Sequence, residues 1–166
     1  MDKNFNKLAL LIVDKAETIN HHLNYLYKYN FKKVILFKKK EIKIKKKLIS
    51  NFNFQFKILN FSSKEFKYDL LKKKIIKNQL KDHFLFLRTS KFVNLNLFKL
   101  YKTFIKNTKS LVITVKEKNK KLDNTEFFFL KSSMIEKYDF SFINLIKNKN
   151  YKINFINNWY LNLKKK

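Results

Sequence analysis

The chain contains no glycine, no proline and no cysteine among its 166 residues. Ordinary usage would supply roughly 12 Gly and 8 Pro at this length. Each absence excludes chemistry. Without Gly there is no P-loop, no dinucleotide-binding Gly-Xaa-Gly-Xaa-Xaa-Gly turn, no Gly-Xaa-Ser-Xaa-Gly elbow and no EF-hand loop, because each needs backbone that only Gly adopts. Without Cys there is no disulfide, no thiolate-held zinc, no iron–sulfur cluster and no cysteine nucleophile. Turns and helix ends must then use Asn where φ is positive. Asn30, Asn60 and Asn107, each following an expected helix or strand, are the positions expected to do so. Arginine is nearly absent as well: Arg88 stands alone beside 38 Lys, and alanine is limited to Ala9 and Ala16.

What fills the space is Lys, Asn, Ile, Phe, Tyr and Met, which together supply 104 of the 166 residues. These are the amino acids of AT-rich codons, and the missing ones have GC-rich codons. Base composition therefore accounts for the pattern without selection for binding. The formal net charge of +27 still exerts a field and attracts polyanions in a salt-dependent way. A 45% hydrophobic content is that of a folded chain rather than a disordered one, and the length fits one domain, 1–166.

The apolar run Leu8–Val13 is too short to span a bilayer, and residues 1–7 lack the apolar core of a secretory signal. Asp2 and the shortage of Arg and Ser argue against a transit peptide. The expectation is a protein of the cytoplasm or an organellar interior, with no membrane partner.

Strand and helix patterns alternate. Leu8–Val13 is a continuous apolar run, as in a buried parallel strand. Residues 16–30 carry Ile19, Leu23, Leu26 and Tyr27 at helical spacing, with Asp14 and Glu17, or Thr18 and His21, as possible starts. Further strands are expected at 33–37, 54–60, His83–Arg88, 111–115 and 126–130. Helices are expected at 38–50, 62–80, 95–107, 132–138 and 141–147, and an extended segment at 151–163. This order predicts an α/β three-layer fold with a mostly parallel sheet, Rossmann-like in its alternation. The lysine runs at 38–40, 45–47 and 72–74 read as solvated helix faces.

Chemistry-bearing residues are sparse. His21 and His22 are adjacent and cannot share a helix face, and His83 opens a strand, so no histidine pair has metal-binding spacing. Asp14 alone follows the carboxyl end of a strand, where α/β sites form, and it serves equally as a helix cap. One carboxylate does not make an acid–base pair. Phe84, Phe86 and Phe127 to Phe129 lie within strands and read as core.

Five segments, in order, resemble the sugar-1-phosphate nucleotidylyltransferase family. They are INHHLNYLYKYNFKKVILF at 19–37, DHFLFLRTSKFVNLNL at 82–97, the strand at Leu111–Lys118, NTEFFFL at 124–130 and the closing NNWYLNL at 157–163. The resemblance implies a three-layer, Rossmann-like nucleotidyltransferase fold. It also implies candidate remnants of a ligand site at Lys15, Ser90, Lys118, Asn124, Trp159 and Asn162. Departures from the family pattern are as informative. The Gly-rich triphosphate loop is missing between Val13 and Asp14, Ser90 and Asn162 stand where the family has magnesium-binding Asp, and Glu126 stands where it has Gly. Hydroxyl and amide cannot supply the charge that magnesium needs beside phosphates. The expectation is a degenerate, nucleotidyltransferase-like protein without nucleotidyl transfer. No catalytic residue, metal site or cofactor is expected, and magnesium would enter only through a rebuilt site. A nucleotide or sugar phosphate is the candidate ligand. The alternative is a basic RNA-binding protein, such as an organellar ribosomal component; a uniformly basic face would favour it, and lysines on all sides would favour composition alone.

Overall fold

The computed structural model describes residues 7–62, 83–91, 94–106, 111–118, 121–124, 127–131, 151–157 and 160–165. The chain forms β1 (Leu8–Val13), α1 (Ile19–Lys28), β2 (Lys33–Lys39), α2 (Lys46–Ser50), β3 (Gln55–Phe61), β4 (His83–Arg88) and α3 (Leu97–Lys106). It continues through β5 (Leu111–Lys118), β6 (Lys121–Asn124), β7 (Phe128–Lys131), β8 (Tyr151–Asn157) and β9 (Tyr160–Lys165).

β1 runs down the middle of a five-stranded sheet in the order β3-β2-β1-β4-β7. β2, β1, β3 and β4 are parallel, and β7 pairs antiparallel with β4. All six residues of β1 are buried, which is why its sequence is continuously apolar rather than alternating. Ala9, Leu11 and Val13 join Val34, Leu36, Leu85 and Leu87 on one face. That face carries Ile19, Leu23 and Leu26 of α1 and Leu97, Leu100, Tyr101 and Phe104 of α3. Leu10, Ile12, Phe37, Phe84, Phe86 and Phe128 point to the opposite face and are equally buried. There Phe86 stacks on Phe128 at 5.1 Å and Phe37 meets Phe61 at 4.9 Å. Each such side chain contributes about 1.5–3 kcal/mol by leaving water. Replacing Leu11, which is fully buried, by Ala would cost about 2–5 kcal/mol.

The strand order β3-β2-β1-β4 matches the first four places of a doubly wound sheet, with the direction of winding reversing at β1. The protein is thus a mixed α/β fold with a mostly parallel sheet, in a generic Rossmann-like arrangement. β6, β5, β9 and β8 form a second, antiparallel sheet. Among the described residues no helix is long and apolar enough to cross a membrane.

α1 ends as a Gly-free chain must. Asn30 takes φ 58°, the left-handed region. Its N–H bonds Tyr27 O at 2.8 Å, and Phe31 N–H reaches back to Leu26 O at 3.1 Å, with Leu26 and Phe31 both in the core. That is a Schellman motif, built on Asn instead of Gly. Asn60 does not share the role: it lies inside β3, and its φ is not positive. Asn107 lies outside the described residues.

The remaining differences are local. α1 begins at Ile19, not at residue 16, and Thr18 precedes it without a side-chain cap. Tyr27, expected on the core face, is 60% exposed, and Tyr25 and His22 are buried in its stead. The expected helix at 38–50 is a helix only over α2; β2 continues to Lys39 before it. The strand expected at 111–115 extends to Lys118 and turns back through β6. The segment at 151–163 is a hairpin of two strands. Apart from Ser62, the helix expected at 62–80 lies outside the described residues, as do those at 132–138 and 141–147.

Candidate functional site

The carboxyl ends of β1 and β4 meet where the winding reverses, the position at which open α/β sheets bind ligands. Ile12 lies opposite Arg88, and Thr89 N–H extends the ladder by bonding Ile12 O at 2.8 Å. This brings two side chains, Thr89 and Arg88, to the turn that follows β1. Thr89, only 2% exposed, places Oγ1 under that turn. The hydroxyl oxygen accepts from Asp14 N–H at 2.9 Å and from Lys15 N–H at 3.3 Å. Arg88 reaches Asp14 with a two-pronged grip: Nε donates to Oδ2 at 2.6 Å and Nη2 to Oδ1 at 3.0 Å. The fork matches the carboxylate geometrically, which a lysine cannot do.

His22, on the first turns of α1, joins the helix to the loop after β4. Nδ1 lies 2.9 Å from Thr18 O and Nε2 3.3 Å from Lys91 O. Tyr25 adds a second tie, its hydroxyl donating to Leu95 O. The loop that follows β4 is thereby anchored to α1 at both of its ends.

An open groove of about 510 Å3 adjoins this cluster. Asp14, Lys15, Ala16 and Glu17 form one wall, and Ile42 and Lys43 the other. Two acids and two lysines line it, and Arg88 already neutralises one of the acids, so it suits a small anionic group better than a bare triphosphate.

The candidate remnants separate. Lys15 and Ser90 both come to this end of the sheet, either side of Thr89, and both are exposed. Lys118, Asn124 and Asn162 belong to the second sheet: Lys118 lies opposite Lys121, Asn124 opposite Val115, and Asn162 opposite Val112 and Asn154. Trp159 lies outside the described residues. Asp14 is not the cap of α1; its carboxylate is engaged by Arg88.

Magnesium, which the family resemblance implies, does not suit these residues. Ser90 offers a hydroxyl and Asn162 an amide, and the carboxylate nearest the strand ends, Asp14, is already neutralised by a guanidinium. Among the described residues no group of three or more His, Asp or Glu could hold a metal ion.

Sequence reasoning picked Asp14 and Lys15 but missed Thr89, His22 and the partner of Asp14. One signal was present. In a chain that uses Lys at 38 of its 39 cationic positions, the surviving Arg marks a place where a planar fork is needed.

Compared with known proteins, the chain matches no family model and no curated sequence.

Proposed function

We propose that the protein is a nucleotidyltransferase-like α/β domain that carries out no nucleotidyl transfer, its strand-end phosphate cradle having become an internal lock. The observation that carries this reading is the occupancy of the β1 turn. The N–H groups of Asp14 and Lys15 stand where a phosphate-binding turn would present its donors, and both are committed to Thr89 Oγ1. Opening that turn to a phosphate would leave a buried hydroxyl without its partners. The Arg88–Asp14 pair adds to the cost by filling the space with matched charge. The segments quoted above, the reversal of winding at β1 and the parallel order of four strands support nucleotidyltransferase ancestry.

What remains for binding is the groove beside Lys15 and Lys43, open to a small anionic ligand such as a sugar phosphate or nucleotide. RNA binding is the rival reading. Exposed lysines occur at the carboxyl ends of the strands (Lys15, Lys40, Lys43), at their amino ends (Lys32, Lys33) and on α3 (Lys99, Lys102, Lys106). Among the described residues that spread is what composition alone produces, and it does not favour RNA.

The test incubates the purified protein with each nucleoside triphosphate, sugar 1-phosphates and magnesium, and follows pyrophosphate release. Calorimetric titrations with the triphosphates and with RNA run beside it at low and physiological salt. No pyrophosphate and no magnesium-dependent triphosphate binding are expected. Magnesium-dependent pyrophosphate release would overturn the proposal, and RNA binding that persists at physiological salt would install the rival.

A further inference from the structure

Among the described residues, the outer edge of β3 carries no neighbouring strand at Phe56 and Ile58. Among the described residues β3 pairs only with β2, in an unbroken parallel register from Gln55 opposite Lys33 to Phe61 opposite Lys39. Two hydrogen bonds fix which backbone groups face β2. Gln55 N–H donates to Lys32 O at 2.8 Å, and Phe61 O accepts from Lys40 N–H at 3.1 Å. In a parallel ladder, alternate residues spend both backbone groups on the same neighbour. Residues 55, 57, 59 and 61 therefore face β2, and Phe56 and Ile58 turn N–H and C=O outward.

Proteins blunt such an edge with proline, a bulge or a cover. This chain has no proline, and β3 has no register shift against β2. Gln55, Lys57, Ile58 and Asn60 are exposed, Ile58 at 42%. The opposite margin of the sheet differs, for β5 packs beside β7 there.

Charge and side-chain parity define the occupant. A second copy would bring its own +27, so self-pairing meets strong repulsion. Lys57 lies on one face of β3, and Phe56 and Ile58 on the other. A strand laid against β3 would put alternate side chains beside these two sets. We infer that the β3 edge docks an extended acidic segment of a partner protein, in which acidic residues on the face of Lys57 alternate with apolar residues on the face of Phe56 and Ile58. The added strand would pair with the backbone of Phe56 and Ile58, the mode of β-augmentation. A polynucleotide has no such ladder to offer.

The experiment measures fluorescence anisotropy of a labelled peptide of alternating Glu and Val at physiological salt. A peptide of the same composition, with its Glu and Val in two blocks, is the control. Ile58→Pro removes one outward N–H and no bond to β2, a place where an edge strand tolerates proline; Ile58→Thr keeps that N–H. The alternating peptide should bind the wild type about tenfold more tightly than the block peptide. Ile58→Pro should lose about tenfold while Ile58→Thr does not. Lys57→Glu, which leaves the backbone edge intact, should also weaken binding. Absence of binding by the alternating peptide, equal binding of the two peptides, or equal behaviour of Ile58→Pro and Ile58→Thr would overturn the inference. So would sedimentation showing a wild-type dimer that Ile58→Pro separates, which would give the edge to a second copy.

Discussion

Thr89 satisfies two backbone donors with one hydroxyl oxygen in a site that water barely reaches. The shape of the side chain is secondary; its oxygen is what matters. Thr89→Val keeps the volume and leaves the N–H groups of Asp14 and Lys15 unmatched, which should cost about 1–3 kcal/mol. Thr89→Ser keeps the oxygen and should recover most of that loss. Urea unfolding of the pair checks the claim, and equal losses would mean the γ-methyl, not the oxygen, matters. Arg88 and Asp14 pose a related question. Their side chains are 25% and 17% exposed, between a surface pair and a buried one. A double-mutant cycle with Arg88→Lys and Asp14→Asn should give a coupling of about 1–2 kcal/mol, above the usual surface value because two parallel bonds are lost together. A coupling near zero would make the contact incidental. Asp14 was legible in the sequence because a carboxylate stands directly after β1. Arg88 and Thr89 were not, because their importance depends on which strand lies beside β1, and the distance of 74 residues between Asp14 and Arg88 hides that neighbour.

At the scale of elements, legibility followed burial. β1 and β4 were readable to the residue, since strands covered on both faces give uninterrupted apolar runs. The core face of α3 was also readable, through Leu97, Leu100, Tyr101 and Phe104. The basic segment after β2 misled for a definite reason. Ile42 and Ile44 are half-buried between exposed neighbours, a period of two, so that stretch is extended; helical spacing starts only near Leu48. The β5–β6 hairpin was missed because the usual turn markers are glycine-based, and this chain has none. Asn30 shows what replaces them. Its left-handed backbone should tolerate Gly and reject a branched residue. Asn30→Gly is expected to leave stability equal or slightly higher, and Asn30→Val to lower it by about 1–2 kcal/mol. Thermal melts of the two variants decide it, and a neutral Asn30→Val would show that the end of α1 rearranges freely.

The whole molecule has to fold against its own charge. Lys and Arg number 39 and Asp and Glu 12, a net +27. Asp14–Arg88 is the one ion pair between described side chains. At most 12 of the 39 cations can find an acid, so repulsion within clusters such as Lys45, Lys46 and Lys47, or Lys99, Lys102 and Lys106, all exposed, is not cancelled over the molecule. Salt should act in the direction opposite to its effect on a protein held by surface ion pairs. Raising ionic strength from about 0.01 to 0.15 M shortens the Debye length from about 30 to 8 Å, which weakens repulsion between charges farther apart than that. The urea midpoint should rise over that interval and then level off, because neighbours within a cluster are closer than the screening length. Sodium chloride is the salt for the measurement, since sulfate would also strengthen apolar burial and mix two causes. A midpoint that falls with sodium chloride would mean that attraction, not repulsion, dominates the surface, and that acidic side chains are placed against the lysines far more selectively than a composition set by AT-rich codons would arrange.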